Sequence, residues 1–213
     1  MWPWILAAST SAAAAAIPVG ESVSATDLEA PHRLRSGLVL GLTLGAGLGS
    51  ASGYPNDTTL IGDPRFYSAS GAMLGTSEDV FVMGALTDYV SVGFWYGHAI
   101  SSNGEWKSTG DGGGVRVDVF PFIGVSRYLT GLGVLARFGL ASGSLSRKAT
   151  ATTVSEGTQS FGAAGAFYEW AFGRLLGGHF GVGPGLEYDA IWSQAFERHG
   201  LIATARVAFY GGP

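Results

Sequence analysis

The chain has 213 residues, a formal net charge of −4 and no cysteine, which excludes disulfide frameworks and thiolate zinc sites. With two lysines, Lys107 and Lys148, it offers no basic patch for nucleic acid. Its 35 glycines follow no three-residue period, which excludes a collagen-like helix, and 46% hydrophobic residues exclude disorder as the main state. Charged residues make up 13%, against a usual share of ~25%, a poor composition for an ordinary soluble enzyme.

Residues 1–20, MWPWILAASTSAAAAAIPVG, are uncharged and run into an alanine tract. They read as a secretory signal over 1–25, with candidate cleavage sites at Ala16 or Ala25, although the first cation is Arg33 and no basic segment precedes the apolar one. A single membrane anchor is the competing reading, but that needs about eighteen strongly apolar residues, and Ala, Ser and Thr dominate here. Residues 26–35 read as a periplasmic lead.

From Ser36 to Ala51, Leu38, Leu40, Leu42, Leu44 and Leu48 share one parity, and Gly37, Gly41, Gly45, Gly47 and Gly49 the other. Period two is the strand signature. The spacing Gly37, Gly41, Gly45, Gly49 also fits a glycine-zipper membrane helix, but Leu at every second position would then surround the helix. The alternation recurs in Tyr89–Ser101, Gly113–Phe120, Leu132–Leu140, His179–Trp192 and Leu201–Phe209, and more weakly in Ser77–Thr87 and Gln159–Ala171. The count is eight strands of roughly membrane-spanning length. Counting Ser68–Thr76 and Phe120–Tyr128 separately would make ten.

A soluble β-sandwich would alternate in the same way, but its outward face would be mostly glycine, with two lysines in the chain to keep it soluble. In a membrane barrel the apolar parity meets hydrocarbon and the small or charged parity fills the lumen. Long polar connections are expected at Ser52–Tyr67, Ser101–Gly112 and Ser142–Thr158, with Ser193–Arg198 the shortest outer loop. Shorter inner turns are expected around Asp88, Phe122–Tyr128 and Phe172–Gly178. Aromatic girdles then fall at Tyr89, Phe122, Tyr128, Trp170, Phe180, Phe209 and Tyr210 on the periplasmic side, and at Tyr54, Tyr96, Trp106, Tyr188 and Trp192 on the outer side.

The strand pattern from Ser36 to Tyr210, closing on Val207-Ala208-Phe209-Tyr210, resembles the small eight-stranded outer-membrane barrels of the OmpA, OmpX and OmpW type. That resemblance implies an all-β, eight-stranded antiparallel transmembrane up-and-down barrel over residues 36–213. It also implies insertion by the barrel-assembly machinery and chain ends in the periplasm. Members of the group often end in the aromatic residue itself as an assembly signal; here Gly211-Gly212-Pro213 follow it.

Arg116, Asp118, Arg137, Glu169, Glu187, Asp189 and Arg206 share the glycine parity of their strands and form the candidate site, a lumen charge network. Buried charges of both signs should pair, for example Asp118 with Arg137 and Glu187 with Arg206. The network reads as a structural plug, with a gated proton or ion path as the alternative.

Nucleophilic catalysis would need a base within hydrogen-bond reach of a hydroxyl. His98 and Ser101 have opposite parity, Ser102 lies about 13 Å from His98 along a strand, and Glu105 completes no triad. His32, His179 and His199 lack metal-ligand spacing, and Gly112-Gly113-Gly114 precedes no helix. The acids of Tyr54–Asp63 are scattered, and no cofactor is implied.

The sequence therefore points to a monomeric outer-membrane barrel embedded in lipid, with a structural or surface-interaction role and no enzymatic one. The alternatives are a narrow barrel passing small or hydrophobic solutes, a lipid-modifying barrel enzyme and a soluble β-sandwich binding module.

Overall fold

The computed structural model describes residue 35 and residues 37–175 and 177–212. The expected export signal over 1–25, and all of the lead but Arg35, lie outside the described residues. Within them the chain forms β1 (Gly37–Gly53), β2 (Ser68–Ala69), β3 (Met73–Ala85), β4 (Val90–Ser102) and β5 (Trp106–Val119). It continues through β6 (Leu132–Arg147), β7 (Thr152–Tyr168), β8 (Trp170–Leu175), β9 (Gly178–Trp192) and β10 (Phe196–Gly211). The glycine-rich first segment is a strand, and no described helix is long and apolar enough to cross a membrane.

Antiparallel pairing runs β1-β3-β4-β5-β6-β7-β9-β10 and closes from β10 back onto β1 along the whole length of both strands. The molecule is an all-β, eight-stranded up-and-down barrel. Of the remaining strands, β2 is a two-residue ladder on the end of β1, and Phe120–Tyr128 contains no strand, so the ten-strand count does not hold. β8 continues β7 in the same register: Phe167 lies opposite Gly185 and Trp170 opposite Val182. That register places Tyr168 opposite Pro184, which has no N–H to give, and the ladder breaks there.

Following registered partners once round the ring leads from Leu40 through Val82, Phe94, Val115, Phe138, Gly162, Ala190 and His199 to Ser50, ten residues further along β1. Such a stagger goes with strands inclined to the barrel axis by roughly 35–45°, and eight strands leave an interior just wide enough for side chains.

Leu38, Leu40, Leu42, Leu44, Leu48, Val80, Val82, Phe94, Val115, Phe138, Leu140, Leu186, Leu201 and Val207 point outward and are exposed, Phe94 at 71%. Val39, Thr43, Phe81, Met83, Trp95, Leu135, Phe161 and Phe167 point inward and are buried. An exterior this apolar suits hydrocarbon, where a closed ladder is one of the two structures that satisfy every backbone group.

Two expectations about the connections fail. Ser101–Gly112 and Ser142–Thr158 are not long loops: the strands run on to turns at 103–105 and 148–151, while the terminal-side turn 120–131 is longer than either. Beyond the apolar belt the outward residues, such as Lys107, Thr109, Ser142 and Ser144, are polar, and Ser108, Gly110 and Gly143 interrupt the inward ones, so pairing continues where the alternation that reveals it has faded. The 54–72 connection is long as expected, and includes a short 3-10 turn at Pro64–Phe66.

The inward glycines make room. A Cβ at Gly41 would fall on the Phe81 ring, one at Gly133 on the Phe167 ring, and one at Gly181 on the Glu169 carboxylate. Leu42→Arg, on the outward face, should therefore cost about 2–4 kcal/mol in urea unfolding from a bilayer, and Thr43→Ser, inward and one residue on, should be nearly neutral. Equal small effects would show that the faces are reversed.

Candidate functional site: the filled lumen

All seven charged residues singled out from the sequence project into the lumen and are buried; Arg116 and Asp118 are 0% exposed. Strand alternation brings them inside, and the stagger decides which meet. Asp118 accepts from Arg116 Nε at 2.9 Å and from Arg206 Nη1 across the lumen. Glu187 accepts from Arg137 Nη2 at 2.6 Å.

The expected partnerships are thus exchanged: Asp118 is held by Arg116 and Arg206 rather than Arg137, and Glu187 by Arg137 rather than Arg206. Parity gives the face of a residue. Its height and its position round the ring depend on the tilt, which one strand's pattern does not contain.

Two residues complete the network. Arg116 and Arg137 are direct register partners on β5 and β6, a like-charge contact that Asp79 neutralises. Its two carboxylate oxygens accept from Arg116 Nη1 at 3.2 Å and from Arg137 Nη1 at 3.1 Å. Asp79 escaped the sequence reading because the alternation in Ser77–Thr87 is weak. The signal was its opposite parity to Val80 and Val82.

Arg35, read from the sequence as part of the lead, lies at the terminal end, with Nη2 3.5 Å from Glu169 and its guanidinium 3.5 Å from the centre of the Phe120 ring. Glu169 accepts from the Tyr210 hydroxyl at 2.9 Å and sits 3.4 Å from Arg206 Nε. The result is an unbroken alternation of sign: Arg35, Glu169, Arg206, Asp118, Arg116, Asp79, Arg137, Glu187. It is neutral overall, the arrangement that makes burial of charge tolerable. Aromatic rings pack on the cations, Phe81 against Arg116 at 4.1 Å and Phe167 against Arg206 at 4.2 Å.

Asp189 stands apart, 3.9 Å from Arg198 Nη1 toward the loop end, beside a cavity of about 30 Å³ bordered by Trp95, Arg137 and Phe161. That is room for a water molecule. Nearer the loop end the filling turns apolar. Met73, Trp106, Leu145, Ile191 and Phe196 are buried together where their strands begin or end.

Trp106 is therefore a plug residue, not a girdle residue, and Tyr210 likewise lies inside the lumen, where it stacks on His179. Nearness to a strand end suggests a girdle position, but both residues carry the inward parity of their strands. Trp170, Tyr89, Tyr128, Tyr96, Tyr188 and Trp192 do face outward and are exposed.

His98 faces outward and Ser101 inward, as their parities require. His98 pairs with Asp111 on the next strand, Nδ1 to Oδ1 2.6 Å, and Glu78 is its register partner on the other side. These three form a short polar row on the outer wall. In the 54–72 connection Asp57 accepts from Thr59 and Asp63 pairs with Arg65, so both acids are engaged. Among the described residues no cluster of His, Asp or Glu is arranged to hold a metal ion.

Removing one member of the chain should strand its neighbour. Arg206→Met should cost about 3–5 kcal/mol, and adding Asp118→Leu should recover about 0.5–3 kcal/mol of it in a double-mutant cycle. The cycle between Asp118 and Arg137 should show the smaller coupling. Asp79→Asn, which leaves two adjacent arginines without their shared acid, should destabilise more than Glu187→Gln at the end of the chain; thermal unfolding in detergent ranks them.

No protein-family model matches the chain, and no curated protein matches it. Solved structures of similar fold include Neisserial surface protein A, 12% identical over 79% of this chain and 96% of that one, with a TM-score of 0.44. Ail, the attachment invasion locus protein of Yersinia pestis, is 8% identical over 81% of this chain and 99% of its own, with a TM-score of 0.47. The N-terminal β-barrel domain of Pseudomonas aeruginosa OprF is 12% identical over 82% and 98%, with a TM-score of 0.40. The chain is similar to these outer-membrane barrels in architecture, and its own closed ladder of eight strands establishes the fold.

Proposed function

We propose that this protein is a monomeric integral barrel of the bacterial outer membrane, with both chain ends on the periplasmic side. Its partner is the surrounding lipid, and its insertion is the work of the barrel-assembly machinery. Its role is structural or surface-interacting rather than conductive or enzymatic.

The observation that carries this reading is the double closure of the lumen. A neutral chain of ion pairs fills the terminal half, and a cluster of Met73, Trp106, Leu145, Ile191 and Phe196 fills the loop end. A solute would have to break buried, charge-assisted hydrogen bonds and then displace close-packed apolar side chains. Passage of small or hydrophobic solutes is the less economical reading for that reason.

Support for a non-enzymatic role comes from the outer wall, where the hydrogen-bond partner of His98 is a carboxylate and Ser101 is buried on the other face. A base without a nucleophile in reach lacks the geometry of acyl transfer.

In planar bilayers the purified barrel should give no stable conductance steps. Arg137→Ala alone should remain silent, because the apolar plug persists. Arg137→Ala combined with Trp106→Ala and Phe196→Ala should produce openings. Large steady steps from the unaltered protein would overturn the closed-lumen reading.

A further inference from the structure

At the terminal end the ring of strands is incomplete on one side. β6 begins at Leu132, opposite Tyr168, whereas β8 extends the wall to Leu175 opposite Gly178. From Trp170 onward β8 is paired with β9 alone, and its other edge faces the turn 120–131 across a notch. The bond at the head of this notch is Glu169 N–H to the Gly131 carbonyl, 2.8 Å.

A cavity of about 260 Å³ lies in the notch. Its lining passes from Tyr168 and Trp170 on the outward face to Arg35, Glu169 and His179 on the lumen side, with Arg127 contributed by the turn. Arg35 is 6% exposed, and its Nε and Nη1 have no hydrogen-bond partner among the described residues. Buried donors left in this state are costly unless water or a ligand takes them. Glu169, its carboxylate neighbour, is already shared with Tyr210 and Arg206. Arg127 is exposed, donates to the Tyr128 hydroxyl and has no ion-pair partner among the described residues. Within the lining the two guanidinium groups thus outweigh the one shared acid, while Asp88, outside it, accepts from the Arg35 backbone N–H at 2.9 Å.

We propose that this notch binds the phosphate of a lipid headgroup in the leaflet at the terminal end of the barrel. Guanidinium groups present donors in a fork that matches phosphate oxygens. The lining reaches the outward face at Tyr168 and Trp170, with the Tyr168 hydroxyl tied to the Tyr128 carbonyl at 2.8 Å, so a headgroup held by the guanidinium groups keeps its acyl chains against that face. Tyr168 and Trp170, 5.1 Å apart between ring centres, stand where interfacial aromatics flank a headgroup. A free anion would gain nothing from the aromatic wall. The proposal rests on the membrane reading above.

The test uses the full barrel folded in zwitterionic detergent, its folding verified by heat-dependent gel mobility. It is titrated with dimyristoyl phosphatidylglycerol, with dimyristoylglycerol and with inorganic phosphate, and lipid occupancy is read by native mass spectrometry. Phosphatidylglycerol should bind saturably, one per barrel. Arg127→Gln, an exposed change that keeps the fold, should weaken binding about tenfold, and Arg35→Gln should abolish it.

Dimyristoylglycerol binding as tightly would overturn the phosphate assignment, and inorganic phosphate competing at equal concentration would overturn the lipid source. Unchanged binding by Arg127→Gln would overturn the site itself. An unaltered protein without a heat-dependent shift would instead overturn the barrel reading on which the proposal stands.

Discussion

Within hydrocarbon a peptide group has no water to bond, so each N–H and C=O of the spanning chain must find its partner in the protein. Closure of β10 onto β1 is what meets that demand, and most features of this molecule follow from it. The local departures are the lapse at Tyr168, opposite Pro184, and the free edge of β8 at the terminal end. An open edge is tolerated there because water and headgroups reach it.

Eight strands with a ten-residue stagger fix the width of the lumen, and that width dictates its contents. Space on the inner wall is so limited that rings rest where Cβ atoms would otherwise be, Phe81 over Gly41 and Phe167 over Gly133. On the inner wall glycine is a packing requirement. It reserves volume for large side chains projecting from neighbouring strands and has little to do with flexibility. Long arginines fill the remaining core, and their burial is offset by one carboxylate for each cation along the chain from Arg35 to Glu187. Asp79 is the pivot, because the register sets Arg116 directly against Arg137 and one acid bridges both.

The lumen changes character along its length. Its charged part lies behind the apolar exterior, where alternation places polar residues inside. Its apolar plug lies toward the loop end, where the outward residues, such as Lys107, Ser144 and Glu197, are polar. The barrel is inside-out in its first part and an ordinary water-exposed β-structure in its second, with a hydrophobic core of Trp106, Leu145 and Phe196. One strand pair passes through both environments, and its two faces exchange chemistry on the way.

The sequence by itself determined the eight strands, the two faces of each and seven of the charges inside, because hydrocarbon on one side and a narrow lumen on the other impose a period of two that neighbouring residues record directly. It was silent where that contrast fades. The strand ends beyond the belt carry polar residues on the outward face and a mixture of apolar residues with Ser and Gly on the inward one, and they read as loops. Nearness to a strand end carries no information about face, which is why Trp106 and Tyr210 read as girdle residues. The partners of Asp118 and Glu187, the bridging role of Asp79 and the place of Arg35 at the mouth were decided by tertiary structure alone. Pairing across a tilted barrel depends on the stagger accumulated over all eight strands, a property of the closed ring that no single segment encodes.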